Sequence, residues 1–138
     1  MRRVVVTGVG LVSSLGTGVE KTWEALLKGE TGIKLIESFD TEDLAVKMAG
    51  VVDDFNPEDF GIDKKELKKL ARFSQFGIAA SKMALDDSGL IIDENNAERI
   101  GVIVSSGIGG LDVIEQQHIN LVDKGAKRVS AFTIPAMI

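Results

Sequence analysis

Two short β-branched runs, each closed by a cluster of glycines, constrain this chain more than any other feature. Residues 3–7 carry Val4-Val5-Val6 ahead of Gly8-Val9-Gly10, and residues 100–104 carry Val102-Ile103-Val104 ahead of Ser105-Ser106-Gly107-Ile108-Gly109-Gly110. Consecutive β-branched residues favour extended backbone, and an unbroken apolar run fits a strand covered on both faces better than one with a wet face. Helical patterns fill the interval and follow the second corner. The order strand, helices, strand, helix predicts an α/β chain with at least part of a parallel sheet.

The helices are readable from spacing. One opens at Thr17 or Gly18 and carries an apolar stripe of Val19, Trp23, Leu26 and Leu27, with Gly29 as its stop. Trp23 reads as a core anchor. Residues 30–60 are irregular, with short apolar pieces at 33–36 and 45–52 and a turn or helix start at Asn56-Pro57. Asp63 caps the next helix, and Glu66 completes the capping-box pattern. At about 100° per residue, Lys64, Lys65, Lys68, Lys69 and Arg72 share one arc opposite Leu67, Leu70 and Ala71, which predicts a basic-faced amphipathic helix. A further helix runs over 73–88 through Phe76, Gly77, Ala80, Met83 and Ala84 to Gly89. The last spans 111–123.

Composition closes several functional classes. With 16 Lys and Arg against 21 Asp and Glu the formal charge is -5, which disfavours a globally basic nucleic-acid binder. There is no cysteine, so these residues hold no disulfide, thiolate metal site or thiol nucleophile, and a lone histidine, His118, gives no metal or triad set. His118 reads as a surface histidine. No run reaches the ~18 apolar residues that cross a bilayer, and valines and glycines interrupt any signal-peptide helix after Arg2-Arg3. The expected setting is cytoplasmic, with no membrane and no nucleic acid.

The two glycine corners each have a plain and a functional reading. Gly8-Val9-Gly10 begins like a dinucleotide fingerprint, but Ser13 stands where the third glycine belongs and no helix clearly starts there. The second corner, 106–110, precedes a helix and either presents amides to a ligand or serves only a tight turn and close packing. The five cations within residues 64–72 are either a solvated face or an electrostatic patch for an acidic partner, with Lys127-Arg128 as a smaller basic point.

Several motifs together resemble a family. Arg2-Arg3-Val4-Val5-Val6-Thr7-Gly8-Val9-Gly10-Leu11-Val12-Ser13, Trp23-Glu24-Ala25-Leu26-Leu27-Lys28-Gly29, Thr31-Gly32-Ile33, Phe39-Asp40, Asp86-Asp87-Ser88-Gly89-Leu90, Arg99-Ile100-Gly101-Val102 and Ser105-Ser106-Gly107-Ile108-Gly109-Gly110-Leu111 stand in the order and spacing of a type II β-ketoacyl-acyl carrier protein synthase. The resemblance runs from Arg2 to Ile138. It implies a thiolase-like αβαβα sandwich, of which residues 1–138 supply most of the N-terminal half, with the apolar close at 132–138 read as a cut inside a buried segment.

The resemblance also implies a chemistry: decarboxylative Claisen condensation of an acyl chain with malonyl-carrier protein, through a thiolate and two histidines supported by a lysine, all beyond Ile138. No catalytic residue and no cofactor or metal is assigned within this chain. Gly107 and Ile108 match the acyl-pocket wall. Phe132, Thr133 and Ile134 match the stretch at the dimer interface that reaches the partner's pocket. Lys65, Lys68, Lys69, Lys127 and Arg128 match the surface that docks acyl carrier protein. Ala131 departs from the family's proline at that position. Beside the homodimeric condensing enzyme stand two other readings, a non-catalytic chain-length-factor-like subunit and a nucleotide-binding α/β domain.

Overall fold

In a computed structural model describing residues 2–138, the glycine corner after residue 7 leads into a small antiparallel hairpin. Its strands β1 (Val12–Ser13) and β2 (Gly16–Thr17) pair Val12 with Thr17 and Ser13 with Gly16. Helix α1 (Val19–Leu27) follows, and Gly29 stands just beyond its end. The two apolar pieces of the irregular stretch pair as a second hairpin, β3 (Ile33–Leu35) with β4 (Met48–Gly50). Beyond a 3-10 turn at Pro57–Phe60 come the single-turn helix α2 (Lys64–Leu67), the long helix α3 (Arg72–Ser88), α4 (Leu111–Lys124) and the short α5 (Thr133–Met137).

These elements fall into two compact units. One comprises Met1–Asn56 with Ala79–Leu90, the other Pro57–Ile78 with Ile91–Ile138. In the first, Thr22, Ala25, Phe55 and Ala79 are buried. Residues 8–10 lie directly on the backbone of α3 there: a Cβ on Gly10 would stand 1.9 Å from the carbonyl oxygen of Ala80, and one on Gly8 2.1 Å from that of Ala84. The Val9 amide donates to Asp87 Oδ2 at 2.8 Å. The first corner therefore serves close packing, and no helix starts at it.

In the second unit Ile62, Ala71, Gln75 and Ala136 are buried. Ala71 and Ala136 are small enough to let backbone approach backbone at Gly110.

Three expectations are corrected. Among the described residues both sheets are two-stranded and antiparallel, and no parallel pairing occurs. The runs at 3–7 and 100–104 carry no ladder and are bare, with Val4 and Ile103 each 95% exposed. A strand covered on both faces needs a neighbour on each edge and a layer on each side, and no strand among the described residues pairs with either run. The α1 stripe is likewise outward. Thr22 and Ala25 take the buried side, while Trp23, the expected anchor, is 59% exposed.

The third correction concerns the basic helix. Asp63 does cap it, its Oδ1 accepting the amides of Lys65 and Glu66 at 2.7 and 3.0 Å. But the helix ends after one turn, and Lys68 and Lys69 lie in the turn between α2 and α3. Leu67 and Leu70 are half-buried and Ala71 is buried, so the chain bends to seat them before α3 begins.

Candidate functional site

The second unit holds a cleft of about 500 Å³ whose walls come from three places. Leu67, Lys68, Leu70, Ala71, Arg72 and Gln75 form one wall, Asp112, Val113, Gln116 and Gln117 of α4 a second, and Ser130, Phe132, Thr133 and Ala136 the third. Side-chain hydrogen bonds fix each wall. Gln75 Nε2 donates to the Leu70 carbonyl at 3.1 Å, which holds the turn ahead of α3. Gln117 Oε1 accepts the Ser130 amide at 2.8 Å, which ties the approach to α5 onto α4. The Ser130 hydroxyl accepts the Phe132 amide at 3.1 Å, and the Thr133 hydroxyl donates to the Ser130 carbonyl at 2.6 Å.

Two lining residues, Ala71 and Ala136, pack against Gly110 of the second glycine corner. Gly109 sits at φ +82°, and a Cβ there would meet the Met137 carbonyl oxygen at 2.2 Å. The Gly110 amide donates to that carbonyl at 2.9 Å, and the Gly109 amide donates to the Ser106 hydroxyl at 3.1 Å. Both amides that a ligand would use at the start of α4 are thus engaged. The tight-turn reading of this corner is the one the geometry supports.

The lining carries two cations, Lys68 and Arg72, and one carboxylate, Asp112, and further lysines stand close by in sequence at 64, 65 and 69. Lys64 pairs with Glu58 at 3.4 Å and the Arg72 guanidinium lies 5.0 Å from the Phe76 ring centre. Among the described residues no carboxylate pairs with Lys65, Lys68 or Lys69. The Lys69 ammonium instead stands 5.1 Å over the Phe132 ring, a cation–π contact. Unneutralised cations beside one another raise a local positive potential on a chain whose net charge is -5.

The expected site residues distribute unevenly over this geometry. Lys68, Phe132 and Thr133 line the cleft; Lys69 joins it through the Phe132 ring. Lys65 is exposed on α2, and Lys127 and Arg128 are exposed on a 3-10 turn, Ala126–Arg128, after α4. Gly107, Ile108 and Ile134 lie outside the cleft lining and are exposed, Ile108 by 74%. His118 is exposed on α4 and does not line the cleft. Sequence reasoning missed Gln75, Gln117 and Ser130. A polar residue at a buried helix position, as Gln75 is, carries a signal in the pattern, whereas Gln117 and Ser130 matter only because the chain returns.

A family model described as Beta-ketoacyl synthase, N-terminal domain, matches residues 1–138. The chain belongs to the β-ketoacyl synthase family. It is 51% identical over 137 residues to 3-oxoacyl-[acyl-carrier-protein] synthase 2 of Vibrio harveyi, which covers 99% of this chain and 33% of that protein. It thus spans about a third of the length of the curated β-ketoacyl synthases it matches.

Solved ketosynthases share the chain path. The ishigamide ketosynthase/chain length factor aligns with a TM-score of 0.78 at 31% identity, over 99% of this chain and 34% of that one. A type II PKS acyl-carrier protein in complex with its ketosynthase bound to the hexaketide gives 0.74 at 28%, over 97% and 36%. The fold is the thiolase-like α/β fold of β-ketoacyl synthases. Membership of this family displaces the nucleotide-binding reading, in keeping with a first glycine corner packed on α3. No helix among the described residues is long and apolar enough to cross a membrane.

Proposed function

We propose that this stretch belongs to a 3-oxoacyl-[acyl carrier protein] synthase, a cytoplasmic homodimer that elongates acyl chains in fatty acid biosynthesis. The observation that carries the reading is the 51% identity to 3-oxoacyl-[acyl-carrier-protein] synthase 2, sustained over 99% of the chain. In the reaction an acyl group passes from its carrier thioester to an enzyme thiolate. Malonyl-carrier protein then loses CO2, and the resulting carbanion attacks the enzyme thioester, forming the new carbon–carbon bond and releasing the thiolate. These 138 residues contain no cysteine, so residues beyond 138 supply the nucleophile.

The part played by this stretch is to receive and to shape. Lys65, Lys68 and Lys69, with Lys127 and Arg128, present the cations that attract and orient acidic acyl carrier protein. Gly107 and Ile108 bound the acyl pocket, and Phe132, Thr133 and Ile134 lie at the dimer interface and reach the partner subunit's pocket. The cleft between Lys68 and Phe132, with Lys68 and Lys69 meeting no carboxylate among the described residues, favours this division of labour.

A second reading has one observation in its favour. The alignment with the ishigamide ketosynthase/chain length factor, at a TM-score of 0.78, also suits a non-catalytic chain-length-factor-like subunit. Incubation of the full-length protein with acyl- and malonyl-loaded carrier protein separates the two. A condensing enzyme releases CO2 and a 3-oxoacyl-carrier protein two carbons longer. A folded dimer that forms no such product by mass spectrometry overturns the enzyme reading.

A further inference from the structure

We propose that the Phe132 ring and an acidic carrier protein compete for the same ammonium, that of Lys69, so that carrier docking and release of Phe132 are one event. The proposal rests on the reading above, in which carrier protein docks on the cations at Lys65, Lys68 and Lys69. What it adds is a link from that surface to a residue of the acyl-binding stretch.

Lys69 is held by its backbone, and its tip meets a ring and no carboxylate among the described residues. Its amide donates to the Glu66 carbonyl at 2.8 Å in the turn after α2, and its ammonium stands 5.1 Å over the Phe132 ring. The electron-rich ring face attracts it. Phe132 is equally poised. It is the N-cap residue of α5 and is 47% exposed, and the far end of α5 bonds the second glycine corner through the Met137 carbonyl. An ammonium gains more from a carboxylate than from an exposed ring, because the charge-assisted hydrogen bond is the stronger contact. An acidic helix laid on this surface therefore draws Lys69 off the ring. Phe132 then loses the contact that fixes its ring plane, and its side chain is released to change rotamer.

A double-mutant cycle on the full-length enzyme tests the exchange, read as the KM for acyl carrier protein. Removing the ring by Phe132→Leu removes a competitor, so the carrier KM falls about two- to five-fold, the worth of an exposed cation–π contact. In a Lys69→Met background the same substitution leaves the carrier KM where Lys69→Met put it. In a Lys69→Arg background, which keeps a cation on the ring, the drop returns. A carrier KM that rises or stays level in Phe132→Leu overturns the proposal, and so does an equal drop with and without Lys69. If Phe132→Leu does not assemble, Phe132→Met keeps the bulk without the ring face and carries the same expectation. Lys65→Glu with Lys68→Glu tells which claim has failed. If that pair leaves the carrier KM unchanged, the docking reading falls and the competition with it. If the pair raises the KM while loss of the ring does not lower it, only the competition falls.

Discussion

The amide of Gly110 donates to the carbonyl of Met137 across 2.9 Å, so the first turn of α4 and the last turn of α5 are joined backbone to backbone. A side chain at either glycine would come between them. Gly110 would meet Ala71 Cβ at 2.9 Å, and Gly109 the Met137 oxygen at 2.2 Å in a conformation that L residues rarely adopt.

Gly109→Ala is therefore expected to destabilise the protein by about 1–3 kcal/mol, from strain at positive φ together with loss of the backbone approach. Chemical denaturation measures it. A midpoint equal to that of the parent would mean that the corner relaxes without the Met137 contact.

Gly10→Ala tests the other close approach. With the Ala80 oxygen 1.9 Å from the added methyl, residues 8–10 must lift from α3 and strain the Val9–Asp87 hydrogen bond. The expected cost is about 1–3 kcal/mol, typical of overpacking. Hydrogen exchange at the Val9 amide should quicken, and protection as strong as in the parent would count against the mechanism.

Charge reversal at Lys65 and Lys68 in the full-length enzyme should raise the carrier-protein KM by more than ten-fold relative to any change with a small thioester donor. Both side chains are exposed and lack a carboxylate partner among the described residues, so little internal structure depends on them. Added salt should narrow the gap between parent and variant, because screening weakens the same attraction. Parallel losses on both donors would remove these lysines from docking.

With Ile108 at the acyl-pocket wall, as proposed above, Ile108→Phe in the full-length enzyme should shorten the longest acyl chain accepted, since the larger side chain would occupy volume the chain needs. Competition among acyl donors of graded length, resolved by mass spectrometry, reads the effect. An unaltered length profile would take Ile108 off the wall.

Asp54 gives the molecule a pH-dependent contact. It accepts a hydrogen bond from the Lys21 ammonium, and from the Thr17 amide and hydroxyl at 3.3 Å each. The Lys21 hydrogen bond above all, with help from Thr17, holds its carboxyl below the usual value. A lowered folded pKa means stability that is complete above the usual carboxylate range and disappears as pH falls through the lowered value. The difference in denaturation midpoint between the parent and Asp54→Asn should be constant above the usual carboxylate range and narrow as pH falls below it. The pair is solvent-exposed, so the difference is small and salt-sensitive. A difference that grows on acidification would contradict the assignment.

The local signals in this sequence were the legible ones. The Asp63 cap, the stop at Gly89 and the extents of α3 and α4 are set by residues within a few positions of one another, and the structure has them. Burial was less legible. An unbroken run such as Val4-Val5-Val6 announces a strand that wants two neighbours without saying where they are, and the described residues provide neither. The α1 stripe erred in the same way, because amphipathicity names a face and not the element that covers it. The basic helix failed for a local reason: the chain breaks after Leu67 and seats Leu70 and Ala71, so only Lys64 and Lys65 of the expected arc lie on that helix. At the candidate site the cations were legible from composition and spacing. The contact of Lys69 with Phe132 was not, because it joins residues far apart in sequence.

The bare runs at 4–6 and 102–104 also set how this stretch behaves in a test tube. Among the described residues each offers backbone donors and acceptors without ladder partners, and its own side chains are β-branched and uncharged, so a second molecule can add to it as a strand. Such addition depends on concentration, whereas the packing beneath Gly10 and Gly110 does not. Solubility and fold stability in these 138 residues are thus governed by different atoms, and a charged residue placed within either run would raise the first while leaving the second to the glycines.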